Sequence, residues 1–170
     1  MRPDPDAAEP RRSWLEPGLV LPEGLEAGLI GGLTVVLVYA LRDVLAGELL
    51  RTPSVLGNLL VHGAAGIGRP TGDVGEAVAY HAAHFAAWTA LGFAASWAYS
   101  RARESAGARW LLRAGTVGAL LVMVALDGAV DGAGLSRLQL WVGGLAGLAA
   151  MGGFLAWRHP DAFRRLEMPG

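Results

Sequence analysis

Four apolar segments dominate the sequence and limit what it can fold into. They cover residues 24–44, 77–99, 111–130 and 138–157. Each is close to the ~20 residues that an α-helix needs to cross ~30 Å of hydrocarbon. The chain of 170 residues is 53% hydrophobic and only 17% charged, so little polar sequence is left to cover a soluble core of such helices. The sequence therefore predicts an all-α protein built as a four-helix transmembrane bundle.

The arginines set the orientation that the sequence predicts. All 14 basic residues are arginines; ten lie on the side of the two termini, in or next to the tails and the connection between the second and third spans, and four lie in or next to the connections on the other side. Positive residues concentrate on the cytoplasmic side of membrane proteins. We therefore expect a multi-pass protein of the bacterial inner membrane with both termini in the cytoplasm. The predicted organisation is a cytoplasmic tail over 1–22, a membrane domain over 23–158 and a second tail over 159–170.

A cleavable signal peptide is the competing interpretation of the N-terminal region. Val38-Tyr39-Ala40 resembles a cleavage site, and Arg11-Arg12 would supply the positive start. Against this, the leader would be unusually long, and acidic residues such as Glu23 and Glu26 stand where positive charge is expected. The pattern favours a first span that is retained.

Composition excludes several function classes. The net charge is −1 at neutral pH, and the sequence lacks the clustered positive charge that a nucleic-acid partner would require. Cysteine is absent, which removes disulfides, thiolate chemistry and cysteine-ligated metal centres. The sequence contains no HExxH motif, no phosphate-binding glycine loop and no Gly-x-Ser-x-Gly elbow. Enzymatic activity stays open, and the sequence favours its absence.

The connection between the first and second spans, residues 45–75, is long and has a pattern of its own. Thr52-Pro53 is typical of a helix start, apolar residues then recur at helical spacing, and Gly63 is a typical stop. A helix over 53–63 would be only about 16 Å long, too short to cross a bilayer. We expect it to be an interfacial or re-entrant helix on the outer side.

Part of this pattern resembles a group of small four-span bacterial membrane proteins that have no assigned function. The residues that carry the resemblance are Asp43, Gly47, Thr52-Pro53, Leu56-Gly57, His84-Phe85 and Gly92. The similarity ends within the second predicted span. It implies the four-span topology, and it implies that Asp43, the Thr-Pro turn and His84 belong to one constellation. It implies no activity.

Small residues predict close helix packing. Gly28 and Gly32 form a G-x-x-x-G pattern in the first span, and Gly143 and Gly147 form another in the fourth. Such patterns let helix backbones approach closely. The contacts could lie within one bundle, in a homo-oligomer, or with a larger membrane complex, and the sequence leaves these alternatives open.

Ionisable residues within or beside the predicted spans are the candidates for a functional site, because they are costly in a membrane and usually face a cavity or a helix interface. Two histidines three residues apart share one helix face, and two aspartates four residues apart share another. Counting along the helices places these four residues and one further aspartate near one level on the outer side. A histidine of the short outer helix could close over them. The candidates are His81, His84, Asp127, Asp131, Asp43 and His62.

Imidazole and carboxylate ligands suit a divalent metal ion such as zinc, copper or iron. The simpler interpretation is a polar notch in which His and Asp hydrogen-bond each other and fix the bundle. Haem b is disfavoured because His81 and His84 share one face and cannot ligate the iron from opposite sides. A proton or ion path is disfavoured because the cytoplasmic halves of the spans lack ionisable residues.

Two function classes follow from the sequence. In the first, the protein is a small structural or accessory subunit of a membrane complex or homo-oligomer, in contact with the lipid bilayer. In the second, it is a metal-binding or redox-active membrane protein built around the His and Asp residues. The sequence favours the first class slightly, because that class requires no special chemistry.

Overall fold

The computed structural model describes residues 17–69, 73–102, 105–130 and 135–160. Within these ranges the chain forms five α-helices and no strand, so the all-α prediction is confirmed for them. The helices are α1 (Pro17–Leu45), α2 (Arg51–His62), α3 (Val74–Arg101), α4 (Ala106–Ala129) and α5 (Arg137–Arg158), and a 3-10 turn (Gly63–Gly66) follows α2. Residues 1–16 and 161–170 of the predicted tails lie outside the described ranges.

Three of the described helices are long and apolar enough to cross a membrane, which identifies a membrane protein. The membrane-crossing stretches are Val20–Leu45 in α1, Ala106–Ala125 in α4 and Arg137–Arg158 in α5. Helix α3 has 28 residues but is not among the three. Its sequence includes Glu76, His81 and His84, which lower its mean hydropathy.

Helix α1 begins earlier than the sequence predicts. The expected boundary between tail and membrane domain was at residues 22 and 23, but α1 starts at Pro17 and continues through Pro22. A proline at the first helical position suits a helix start. Pro22 lies only one turn further on and removes a single backbone hydrogen bond near the helix end. The proline-rich segment therefore extends the helix instead of ending it.

Helix α1 is the centre of the fold and packs on α3 through backbone contact. A Cβ atom at Gly28 would lie 2.5 Å from the Trp88 carbonyl oxygen and 2.7 Å from Thr89 Cα. A Cβ atom at Gly92 would collide with the carbonyl oxygen of Gly24 and with Gly28. Gly24 and Gly28 thus meet residues of α3 in reverse order, which makes the two helices antiparallel. This α1–α3 seam has room for glycine alone.

Helix α5 packs antiparallel on a second face of α1. Trp88 fills the space between Gly31 of α1 and Gly147 of α5, where a Cβ atom would lie 2.5 Å and 2.8 Å from its ring, respectively. Towards the other end of α1, Ala27 is buried with Met151 and Leu155. The G-x-x-x-G pairs are therefore used within one chain, since Gly28, Gly143 and Gly147 are all buried.

Helix α4 is much less embedded than α1. Of the most apolar stretch of α1, 39% is buried, against 6% for α4. Met123 of α4 reaches Gly144 of α5, where a Cβ atom would lie 2.5 Å from the methionine Cε. Most other large apolar residues of α4 are exposed, such as Val117 and Leu121. Helix α4 therefore stands at the side of the α1, α3 and α5 group, and a cleft separates them.

Helix α2 buries several polar side chains beside Val55 and leaves part of its apolar surface exposed. Thr52, Ser54 and Asn58 are buried, whereas Leu60 and Val61 are exposed. Gly57 lies against the backbone of Glu76 at the start of α3. A soluble helix has the opposite arrangement. Helix α2 spans Arg51–His62, so it starts two residues earlier than predicted. Gly63, whose φ is 57°, follows its last residue.

Candidate functional site

Asp43 joins three helices through a network of buried polar groups at one end of the bundle. Its carboxylate accepts hydrogen bonds from the Thr52 backbone N–H and the Thr52 hydroxyl, both at 2.7 Å. The Thr52 hydroxyl accepts a hydrogen bond at 2.7 Å from the Gln139 side chain of α5. Asp43 is therefore the cap of α2, and Asp43, Thr52 and Gln139 form what we call the polar latch. All three residues are buried.

Two arginines and a glutamate form the exposed rim of the polar latch. Arg51 donates a hydrogen bond to Glu48, and Arg42 Nη1 lies 3.6 Å from the Glu48 carboxylate and 3.7 Å from that of Asp43. The hydrogen bond from Arg51 and the positive charges of both arginines hold the pKa of Glu48 below its usual value. The rim thus places positive charge beside the buried carboxylate.

His81 and Asp43 face the same small cavity. The cavity has a volume of about 110 Å³ and is also lined by Tyr39, Tyr80 and Pro53. His81 Nδ1 donates a hydrogen bond to the Ala77 carbonyl at 2.7 Å. Of the five predicted metal ligands that the structure describes, only these two line this cavity.

His84 turns away from that cavity and bonds to helix α1. Its Nε2 lies 3.1 Å from the Gly32 carbonyl oxygen, and its Nδ1 lies 3.2 Å from the Tyr80 hydroxyl. Because a carbonyl can only accept, Nε2 carries the proton. Gly32 precedes Asp43 by eleven residues, or about 16 Å of helix. The structure thus joins Asp43 to Thr52 and bonds His84 to a different part of α1.

The other candidates have separate partners. Asp127 at the end of α4 lies 3.8 Å from Nε of Arg137 at the start of α5. His62 at the end of α2 lies 3.2 Å from the Glu76 carboxylate of α3, to which its Nε2 donates. Asp131 lies outside the described residues. Each of these pairs ties two neighbouring helices together.

Within the described ranges, no group of three His, Asp or Glu side chains comes together in a way that would hold a metal ion. The distance estimate from sequence placed His84 level with Asp43, but it ignored the tilt and stagger of packed helices. In the structure, the imidazoles mainly hydrogen-bond backbone carbonyls or single carboxylates. This arrangement satisfies polar groups that are costly to bury.

An apolar cleft lies between α3, α4 and α5 and is closed at one end by α2. Its volume is about 640 Å³, within the range of about 300–1,000 Å³ that is common for small-molecule sites. The residues that form its walls include Tyr39, Leu56, Tyr80, His84, Trp88, Ala119, Met123, Trp141 and Gly144. We call it the aromatic cleft.

Tyr39 and Tyr80 stand between the aromatic cleft and the small cavity, because both line both spaces. The Tyr80 hydroxyl is bonded to His84. The Tyr39 ring packs on Gly143, where any Cβ atom would collide with it. The Tyr39 hydroxyl makes no hydrogen bond to any other described residue. The aromatic cleft therefore contains one tyrosine hydroxyl that is free to form a hydrogen bond with a ligand.

Several residues of this region are not evident from the sequence. Gln139 carries no motif, and only the fold brings it to Thr52, 87 positions earlier in the chain. Tyr39 reads as an aromatic residue at the membrane interface. At the other end of the bundle, His159 lies 2.7 Å from the buried Glu23 and stacks on Tyr99. The only sequence signal for the Glu23–His159 pair is an acidic residue near the first span and a histidine after the last span.

Comparison of the chain with protein-family models, with curated proteins and with solved structures gives no match. The class of protein is therefore defined by the fold itself. It is an all-α membrane protein with a buried polar latch at one end and an aromatic cleft along one side.

Proposed function

We propose that the protein crosses the bacterial inner membrane four times, with both termini in the cytoplasm and α2 embedded near the outer surface. The support is the packing of α3. It runs antiparallel along α1, from Gly24 beside Phe93 to Gly32 beside Phe85. A bilayer that surrounds α1 must therefore surround α3 as well. The His84 imidazole of α3 needs no water at this depth, because it is bonded to α1 and Tyr80.

The chain has no cysteine, so single introduced cysteines can test this topology directly. In intact spheroplasts, we expect a membrane-impermeant maleimide to label Glu48→Cys. It should label Gly107→Cys, at the start of α4, only after the membrane is permeabilised. Labelling of both positions from outside would mean that α3 does not cross, and it would remove the four-span proposal. The reverse pattern would invert the orientation.

We further propose that the protein binds a lipophilic molecule in the aromatic cleft. The observation that carries this proposal is the cleft itself, an apolar space of about 640 Å³ beside the poorly embedded helix α4. Packed interiors contain few voids larger than a water molecule, because empty space forfeits contacts. A space of this size at membrane depth is occupied by a molecule from the bilayer. The two tryptophans and two tyrosines of its walls offer that molecule large contact surfaces.

Filling the cleft tests this proposal. Ala119 lines the cleft, whereas Ala125 on the same helix is exposed and does not. We expect native mass spectrometry of the protein in mild detergent to detect a bound molecule in the wild type and in Ala125→Trp. Ala119→Trp should lose it. If the bound mass is the same in both variants, the cleft is not the site.

The exposed side of α4 favours a second candidate function, that of an accessory subunit bound to another membrane helix. Val117 and Leu121 are 56% and 63% exposed. A photo-crosslinking residue at Val117, in native membranes, should give a protein adduct of defined mass. The same residue at Leu29, exposed on α1, is the control for contact with lipid. Lipid adducts alone at both positions would contradict this second function.

A further inference from the structure

We infer that the molecule bound in the aromatic cleft is a quinone with a hydrocarbon tail, held by a hydrogen bond from Tyr39 to a ring carbonyl. This inference rests on the proposed function and specifies its ligand. It is carried by three observations: the absence of charge in the cleft, the hydrogen bonds already made within it, and the flat rings that line it.

The first observation is that the cleft suits a neutral molecule. No described residue that lines it is an arginine, aspartate or glutamate. Phospholipid headgroups, fatty-acid carboxylates and polyprenyl phosphates carry charge, which is costly to bury without a partner. A ligand whose polar group is neutral meets no such cost.

The second observation is that one of the two tyrosine hydroxyls of the cleft is a spare hydrogen-bond donor. His84 Nε2–H donates to the Gly32 carbonyl, and a neutral imidazole then accepts the Tyr80 proton at Nδ1. The protons of both groups are thus committed within the protein. The Tyr39 hydroxyl has no described partner and remains as the donor for a guest. A carbonyl oxygen is the neutral group that such a donor recognises.

The third observation is the shape of the walls. Trp88 and Trp141 line the cleft with the two tyrosines, and Met123 adds a flexible thioether from α4. Aromatic side chains bind flat conjugated rings by offset or edge contacts, and methionine adapts to such rings. A quinone joins a flat ring and a carbonyl with a tail. The exposed side chain of Val122, which also lines the cleft, marks where a tail can leave between α4 and its neighbours.

Titration with defined ligands tests the inference. The protein in phosphatidylcholine nanodiscs is titrated with decylubiquinone and, in a second series, with a short-chain menaquinone, and quenching of tryptophan fluorescence is followed. Decylbenzene, which has a ring and a tail but no carbonyl, is titrated as a competitor. We expect saturable quenching by at least one quinone, and the stronger of the two identifies the ring type.

Three variants separate the contributions. Tyr39→Phe keeps the ring on Gly143 and removes the hydroxyl, so its affinity for quinone should fall about five- to tenfold, with decylbenzene unaffected. Tyr99→Phe is the matched control outside the cleft and should behave like the wild type. Ala119→Trp should abolish quenching. Thermal unfolding of each variant shows that the fold is retained.

Each remaining outcome decides between the two proposals. Equal quinone affinity in Tyr39→Phe and the wild type would overturn the inference, because the hydroxyl would then play no part. Absence of quinone binding, combined with a native bound mass that Ala119→Trp removes, would overturn the quinone but leave the lipophilic site in place. A native bound mass that Ala119→Trp does not change would remove both.

Discussion

Helices α3 and α4 pack on the same bundle in opposite ways. In the α1–α3 seam, backbone meets backbone: at Gly28 a Cβ atom would lie 2.5 Å from the Trp88 carbonyl oxygen. On α4, Gly115 and Gly118 have no atom within 4 Å of the position that a Cβ would take. Helices α3 and α4 are similar in length. Helix α3 is the less apolar of the two, yet it is packed more closely into the bundle. Hydropathy therefore does not determine which helix is held tightly.

The difference follows from what stabilises helices in lipid. Apolar surface gains little from leaving a bilayer for another apolar surface, so association depends on close packing and on hydrogen bonds. Helix α3 has both, through Gly92 in the seam and through His84 to the Gly32 carbonyl. Helix α4 offers large apolar side chains, which lipid satisfies equally well. The α1–α3 side of the bundle is therefore closely packed, and we call it the rigid side. The α4 side is left open for a ligand.

The largest effect should come from adding one methyl group to the seam. In Gly92→Ala, the new Cβ would collide with the Gly24 carbonyl oxygen, and neither backbone can move without separating α1 from α3. Overpacking of this kind costs roughly 1–3 kcal/mol or more, and the better helix propensity of alanine offsets about 1 kcal/mol of it. We expect a net loss of about 2 kcal/mol in the free energy of unfolding, measured by titration from mild detergent into dodecyl sulfate.

Gly118→Ala on α4 is the matched control for this change. It adds the same methyl group to open space, so its unfolding free energy should stay unchanged or rise slightly. Equal changes in the unfolding free energy for the two alanines would mean that the close contact in the seam has no cost of its own, and the contrast between seam and open side would fail.

A smaller loss is expected from the polar latch, which ties α2 and α5 to the rigid side. Thr52→Val removes the hydroxyl that donates to Asp43 and accepts from Gln139, leaving both buried groups one partner short. Because Asp43 keeps the bond from the Thr52 backbone N–H, we expect the low end of the range for such a loss, about 1 kcal/mol. Thr116→Val on α4 is the control, because that exposed hydroxyl bonds only to its own helix and its loss should cost under about 0.5 kcal/mol.

Thr52→Ser provides the complementary check, since it restores the hydroxyl. Its stability should return most of the way to that of the wild type. If Thr52→Val were as stable as the wild type while Thr52→Ser lost stability, the methyl group of Thr52 would matter and the hydrogen bonds would not. The dodecyl sulfate titration used for the glycine variants measures all three.

Much of this fold is predictable because its signals are local. The apolar segments gave the long helices, and Gly63 gave the end of α2, where a positive φ suits glycine. Gly28 and Gly147 predicted close packing, which the structure shows within one chain. The early start of α1 was missed because two prolines resemble a tail and are in fact tolerated in the first turns of a helix.

The candidate site was less predictable because it depends on stagger between helices. His84 and Asp43 have similar counted depths, but α3 places His84 beside Gly32. The partner of Thr52 is Gln139, which belongs to no sequence motif. A hydrogen bond between helices far apart in the chain produces no recognisable residue spacing, so the sequence does not predict it. The aromatic cleft is a space left by imperfect packing of α4. A sequence pattern describes the surfaces of helices and does not describe the gaps between them.

The smallest expected effect concerns the exposed rim of the polar latch and depends on pH. Arg51, and to a lesser degree Arg42, lower the pKa of Glu48 in the folded protein. A lowered carboxyl pKa contributes stability that is present above the unfolded value of about 4.3 and is lost as the pH falls through the folded value. Glu48→Gln lacks this contribution at every pH. The unfolding midpoint of the wild type should therefore lie slightly above that of Glu48→Gln at neutral pH, and the two should converge as the pH falls through the folded pKa of Glu48. Because Glu48 is exposed, added salt should also close the gap. A gap that persists in acid and in high salt would mean that Glu48 acts through packing, and the rim would then belong to the rigid side of the molecule for the same reason as the seam.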